Sequence, residues 1–397
     1  MLSQGRTPHV LRLHGLHMAR IAMVVTNACS PDPRVLRHAE WLVREGHEVT
    51  VHAYDRQELH PLSESRHGVR IMRYHLGKSP YGGLMKTALG IRQFNKNVLR
   101  GLTTNQPDIL YCHDADTLVV GSILKKKYGT TVVFDMHDLQ HSWVRMPAPN
   151  SMIRRIISKG MESRMLNRLK FVDKIITSSG KISPNGKYGG FREYLEERGH
   201  SSTVVENRPE QETSLERQDK TGWSVGYVGR VREVDSFQFL LEAILLIEAE
   251  KRPKIRIAGD GVAFQSVSNI LNSAQKKHGI EIEITGRFDA EESSQIIQNI
   301  DVMFAMYCPK RGNILQGALP VKMFDAAAHG VPSIVNSECI MQDIVHLEEI
   351  GESVEWLNRE DLAKSLLSLR GVRVELATTS ERERKRFSKA LKPLFDC

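Results

Sequence analysis

RIAMVVTNACSPDPRVLRHAEWLVREGHEVTVHAY, residues 20–54, contains three elements in a row. RIAMVVT (20–26) is a continuous apolar run and reads as a buried strand. PRVLRHAEWLVREG (33–46) reads as an amphipathic helix ending at a glycine, and HEVTVHAY (47–54) as the next strand. Strand–helix–strand units with unbroken apolar strands predict a parallel sheet covered by helices on both faces.

The alternation continues outward from this unit. DILYC (108–112), a helix over 116–128, TTVVFD (130–135) and VDKIITSS (172–179) extend it. ENRPEQETSLERQDKTG (206–222) is polar, charged and without period, and reads as a linker. The alternation then restarts: SVGYVG (224–229), a helix over 236–250, KIRIAG (254–259), a helix near 263–277, IEIEITG (280–286), a helix over 290–299, DVMFAMY (301–307) and PSIVN (332–336). The fold class expected is α/β, with two doubly wound, Rossmann-like domains facing a central cleft. The divisions are an extension over 1–18, a first domain over 19–205, the linker 206–222, a second domain over 223–372 and a basic helix over 373–397. Open parallel sheets bind ligands beyond the carboxyl ends of their strands. The loops after 26, 112, 135 and 229 are therefore the first places to look for a site.

The 397 residues hold 55 Lys and Arg against 47 Asp and Glu, a net charge of +8 that favours anionic partners. Five scattered cysteines with no CxxC pair fit a reducing, cytoplasmic compartment rather than a disulfide framework. Residues 1–18 lack the apolar core of a signal peptide, and no stretch reaches the roughly 18 apolar residues of a membrane span. Nucleic-acid binding would rest on charge alone, with no aromatic–basic platform to support it. NACSPDPRV after the first strand has no glycine, and GDGVAF (259–264) lacks the third glycine of a dinucleotide fingerprint. There is no P-loop and no metal-ligand spacing, so neither a cofactor nor a metal is expected.

DPRVLRHAEWLVREGHEVTV (32–51), DILYCHDAD, VVFDMHD, VGYVGR (225–230), IAGDG (257–261), TGRF (285–288) and LPVKMFDAAAHGVPSIV together resemble retaining glycosyltransferases of family 4, which have the GT-B architecture. The resemblance spans about residues 20–370. It implies a nucleoside-diphosphate-sugar donor on the second domain and a glycan or lipid-linked acceptor on the first. Under it, Arg230 holds the pyrophosphate and steadies the leaving charge, Arg232 reaches the same place, and Arg287 lies where backbone meets the nucleobase. Asp325 accepts ribose hydroxyls, with Lys322 a cation beside it; an ordinary ion pair between the two is the alternative. Gly259 and Gly261 let backbone approach the donor, or simply form a turn. His137 touches the transferred sugar, while Asn27, His113, Asp114 and Asp138 line the acceptor side.

Two positions depart from the family pattern. Asp235 stands where a phosphate-binding lysine is usual, and Gly317 where the first of two acids is usual. The N–H groups of residues 312–319 are expected to compensate by binding phosphate. RRIISKGMESRMLNRLKF (154–171) combines a basic face with large apolar residues and suits either core packing or the inner face of a membrane. The leading expectation is a metal-independent, retaining sugar transferase of surface glycan or glycolipid synthesis. A sugar-nucleotide epimerase and a non-catalytic sugar-nucleotide-binding scaffold are the alternatives.

Overall fold

The computed structural model describes residues 18–30, 32–78, 84–146, 148, 150–210, 222–289, 292–310 and 313–396. The extension, apart from Met18, and most of the linker lie outside the described residues, as does Gly312 of the expected phosphate loop.

The first half is an eight-stranded sheet in the order β3-β4-β2-β1-β5-β6-β7-β8. Its strands are β1 Arg20–Val25, β2 Glu48–Tyr54, β3 Ser63–Arg66, β4 Val69–Tyr74, β5 Ile109–His113, β6 Thr131–Met136, β7 Lys174–Thr177 and β8 Thr203–Val204. All pairings are parallel except β3 with β4. β1 is central, with Met23 opposite Val51 on one side and Tyr111 on the other. Side chains alternate across a strand. Ile21, Met23 and Val25 therefore face one core and Ala22 and Val24 the other. Helix Pro33–Arg44 covers the first face. Asp32 caps it by accepting from the Val35 N–H at 3.2 Å, and proline stands in its first turn. Helix Leu84–Thr104 covers the other face with Phe94 and Val98.

The second half is a six-stranded, all-parallel sheet in the order β11-β10-β9-β12-β13-β14. These are β9 Ser224–Val228, β10 Lys254–Ala258, β11 Ile282–Gly286, β12 Val302–Ala305, β13 Ser333–Asn336 and β14 Gly351–Val354. Val225, Tyr227, Ile255, Ile257 and Phe304 pack against helix Asp235–Leu246 in one core.

Three features differ from the sequence reading. The hairpin of β3 and β4 and helix Leu84–Thr104 fill a region the alternation leaves blank, because SESR is a polar edge strand with no apolar run. The linker does not begin loosely at 206: Glu206 and Arg208 are buried, and Arg208 binds Glu206 and Glu348 at 2.6 Å each. The basic helix Ser380–Leu391 is no separate appendage. Its Phe387 joins the first half's core, 4.6 Å from the His38 ring and 5.3 Å from Trp41.

Candidate active site

The loops after β5 and β6 carry the first half's candidate residues. Asp114 leaves β5 with φ 68, a left-handed conformation that a non-glycine residue adopts only when its surroundings impose it. The surroundings here are specific. The Asp114 N–H donates to the Asp135 carbonyl, and the Thr117 hydroxyl bonds the carbonyls of both His113 and Asp114. The turn aims Asp114 at His137, with Oδ1 and Nδ1 2.8 Å apart and the imidazole a quarter exposed. Asp114 beside Nδ1 leaves Nε2 on the far side of the ring for a ligand.

Beneath this pair lies a buried charge network. Asp135, at the end of β6, accepts from His113 Nδ1 at 2.9 Å and pairs with Arg34 at 3.1 Å. Burial works against the Asp135 charge, but the Arg34 guanidinium and the His113 bond outweigh it and hold the carboxyl well below the usual range. Asp114 goes the other way: burial, reinforced by Asp116, pushes its carboxyl well above the usual range. Asp116 is likewise raised by burial and accepts from the Thr26 hydroxyl at 2.8 Å. Acids held apart in this way suit a site where one stays charged and another holds a proton.

His113 does not line the cleft. Its ring is fully buried on Asp135 and stacked 4.6 Å from Tyr111, so it supports the site from below. Asn27 is also occupied: Nδ2 donates to Asp32 and Oδ1 accepts from the Cys29 N–H, which fixes the 27–32 loop. Asp138 accepts from the Leu139 N–H and, across to the second half, from Asn313 Nδ2 at 2.7 Å. It joins the halves. Asp135 and Asp116 are the residues that sequence reasoning passes over. The available signal is an acid that closes an otherwise apolar strand.

In the second half, the loops after β9 and β10 are zipped together. The Gly229 N–H donates to Ala258, Val231 to Asp260, and Ala263 to Val231. A Cβ on Gly259 would lie 1.8 Å from the Gly229 carbonyl oxygen, and one on Gly261 2.2 Å from that of Val231. At both positions only a glycine leaves room for the neighbouring loop. The zipper holds Arg230 exposed at the end of β9, with its carbonyl accepting from the Tyr227 hydroxyl at 2.8 Å. Arg287 is exposed just past β11. Lys322, on helix Val321–Ala328, lies 3.1 Å from the Tyr227 ring centroid and 5.6 Å from that of Tyr307. A Cβ on Gly229 would lie only 3.7 Å from its Nζ. The Lys322 cation therefore reaches the loop that carries Arg230.

Arg232 turns to the other half and stacks 4.3 Å over Trp143. Asp235 is the exposed first residue of helix Asp235–Leu246, where the helix dipole favours an acid. Asp325 faces the first half. Arg37 is lowered chiefly by burial, and Asp325 is the strongest charge opposing that shift. Gly317 has φ 111, and a Cβ there would lie 2.5 Å from the Gly190 Cα. The first half's backbone thus leaves no room for the family's usual acid. The carboxyl-end loops of the two sheets meet through Asp138–Asn313, Trp143–Arg232 and Gly190–Gly317. Among the described residues, no cluster of three His, Cys, Asp or Glu is placed to hold a metal ion.

Two parallel-sheet domains with their carboxyl-end loops opposed define a GT-B protein. Residues 31–182 match the model of the glycosyl transferase 4-like domain, and residues 223–370 that of glycosyl transferases group 1. The chain belongs to this glycosyltransferase family. No curated protein matches it. Solved structures do. Sucrose-phosphate synthase from Thermosynechococcus elongatus superposes with a TM-score of 0.68 at 14% identity, covering 95% of this chain and 96% of that one. HepE from Anabaena, in complex with UDP, gives 0.60 at 13% identity over 96% and 98%. A glycosyltransferase from Rickettsia africae gives 0.58 at 12% identity over 96% of each.

Proposed function

We propose that the protein transfers a sugar from a nucleoside-diphosphate sugar to an acceptor hydroxyl, with retention at the anomeric carbon. The observation that carries this reading is that the loop following the Asp114–His137 pair meets the second half next to Arg230, through Asp138–Asn313 and Trp143–Arg232. In the reaction the bond from the anomeric carbon to the diphosphate oxygen breaks. The acceptor oxygen bonds that carbon on the same face, and its proton passes to the departing diphosphate oxygen. Negative charge grows on the departing diphosphate, where Arg230 and Lys322 stabilise it as preorganised cations. This chemistry is assigned to side chains, without a metal. Asp325 is the acceptor for ribose hydroxyls, and Arg287 stands beside the base. His137 Nε2 hydrogen-bonds a sugar hydroxyl while Asp114 holds the ring. HepE, of the same fold, is known with UDP and with UDP-glucose, which favours a uridine donor here.

The acceptor side points to a lipid-linked glycan. Helix Met152–Leu169 follows the loop of His137 and exposes Met152, Ile153 and Ile156 at 68%, 71% and 67%, with Ile157 beside them. Arg155 and Lys159 flank this patch. Large apolar side chains among basic ones suit insertion into an anionic membrane surface. No helix among the described residues is long and apolar enough to cross a membrane. The expected setting is therefore the inner face of a membrane, in surface glycan or glycolipid synthesis.

Thermal shift with UDP-, GDP-, ADP- and dTDP-sugars in chelator, with NADH as control, tests the donor assignment. One nucleotide class should stabilise the wild type and not Arg230→Ala. Stabilisation by none of the sugars would leave a scaffold that kept the fold without the chemistry. Proton NMR of the product would then read the anomeric configuration, and an inverted product would end the retaining assignment.

A further inference from the structure

Outside the cleft, the outer edge of the first sheet carries a groove of about 760 Å³. One wall is β7, β8 and the turn at residues 180–182, and the other is the returning helix Ser380–Leu391. Glu348 and Thr378 close it from the second half. Its lining is strongly basic. The ammonium groups of Lys174, Lys181 and Lys389 make no ion pair among the described residues. Arg192, Arg382 and Arg386 also line it, each already paired with a glutamate on its own helix. The acids in reach are spent. Glu206 and Glu348 bind Arg208 at the floor, and Glu383 is fully buried beneath Arg382 and Arg386. Three ammonium groups without an ion pair among the described residues give this concavity a positive potential.

We propose that this groove is a second anion site, for a soluble molecule carrying two or more phosphates. A flat bilayer does not enter a concave groove, so a small solute is the occupant. Several cations around one small solute are the arrangement that holds multiple phosphates. The position gives occupancy a consequence. Arg208 at the floor also stacks 4.2 Å over Phe324, the neighbour of Asp325 on helix Val321–Ala328. The walls belong to the first half and the closing residues Glu348 and Thr378 to the second, so a bound anion favours the hinge setting that brings them together. A ligand that biases a hinge changes the affinity of the cleft, and the cleft ligand changes its affinity in return.

Calorimetric titration with tripolyphosphate tests the site in the wild type, in Arg230→Ala and in the double variant Lys181→Glu, Lys389→Glu. The expected result is a binding step that survives in Arg230→Ala and weakens at least tenfold in the double variant. The two lysines make no ion pair, and an unchanged melting temperature without ligand confirms that the variant folds. Absence of binding, loss of the step in Arg230→Ala, or an unchanged step in the double variant would each overturn the proposal. None of these outcomes depends on whether the cleft transfers a sugar.

Discussion

In the first half, the residues that face the cleft rest on buried charge. His137 stands on Asp114, whose loop is tied to β6, and β6 ends in Asp135 clamped by Arg34 and His113. In the second half, the matching loops are held main chain to main chain, with glycines at the contacts and Arg230 left exposed at the tip. The contrast follows from the two tasks. A group that handles a proton or a neutral sugar needs its surroundings and its neighbours' charge states set, and buried acids do that. A group that meets a diphosphate needs only to be positive and in place, so a rigid backbone under an exposed arginine is enough.

Substitutions at the two foundations should separate these designs. Asp135→Ala strands Arg34 in the interior, and breaking a buried pair from one side costs roughly 3–5 kcal/mol. Chemical denaturation should show that loss, with nucleotide binding by the surviving folded protein unchanged. Gly259→Ala should do the reverse. Its φ of 140 alone costs about 1–3 kcal/mol for a side chain, and the overlap with Gly229 forces the Arg230 loop aside. Nucleotide affinity should fall further than stability does. Equal losses of affinity in both variants would erase the distinction.

A smaller effect is pH-dependent and belongs to the first half. Burial pushes His38 down from 6.5 to about 3, between Trp41, Tyr111 and Phe387. Between those two values the unfolded chain binds a proton that the folded chain does not. Stability from this group is therefore full above the upper value and is lost as pH falls through the window. The slope is about 1.4 kcal/mol per pH unit for one proton. His38→Gln should flatten the stability–pH curve there, and an unchanged curve would show that His38 takes up its proton while folded. Smaller still, Arg232→Ala removes a half-exposed cation–π contact with Trp143, worth about 0.5–1 kcal/mol. Its effect should appear in the coupling between the halves, read by limited proteolysis of the linker, and not in nucleotide affinity.

Most strands are legible in the sequence because a strand buried on both faces must be an apolar run, and these runs alternate with helical patterns. β3 is invisible for the same reason, since an exposed edge strand needs no apolar side chains. The candidate site divides differently. Arg230, Lys322 and Asp325 sit in local motifs at strand ends and helix starts, which sequence order displays. The purposes of Gly259, Gly261 and Gly317 do not show, because each answers to backbone far away in sequence: Gly229, Val231 and Gly190. His113 and Asp135 show the same limit. Both stand in motif strings, but which of them turns inward depends on register between β5 and β6, where they are direct partners.

The central claim is that Arg230 serves the diphosphate while His137 serves the sugar. Calorimetry with UDP on the wild type, Arg230→Ala and His137→Ala, paired with UDP release from UDP-glucose, reads both roles at once. The account predicts UDP binding at least tenfold weaker in Arg230→Ala and unchanged in His137→Ala, with UDP release lost in both. Equal UDP affinity in wild type and Arg230→Ala would contradict it.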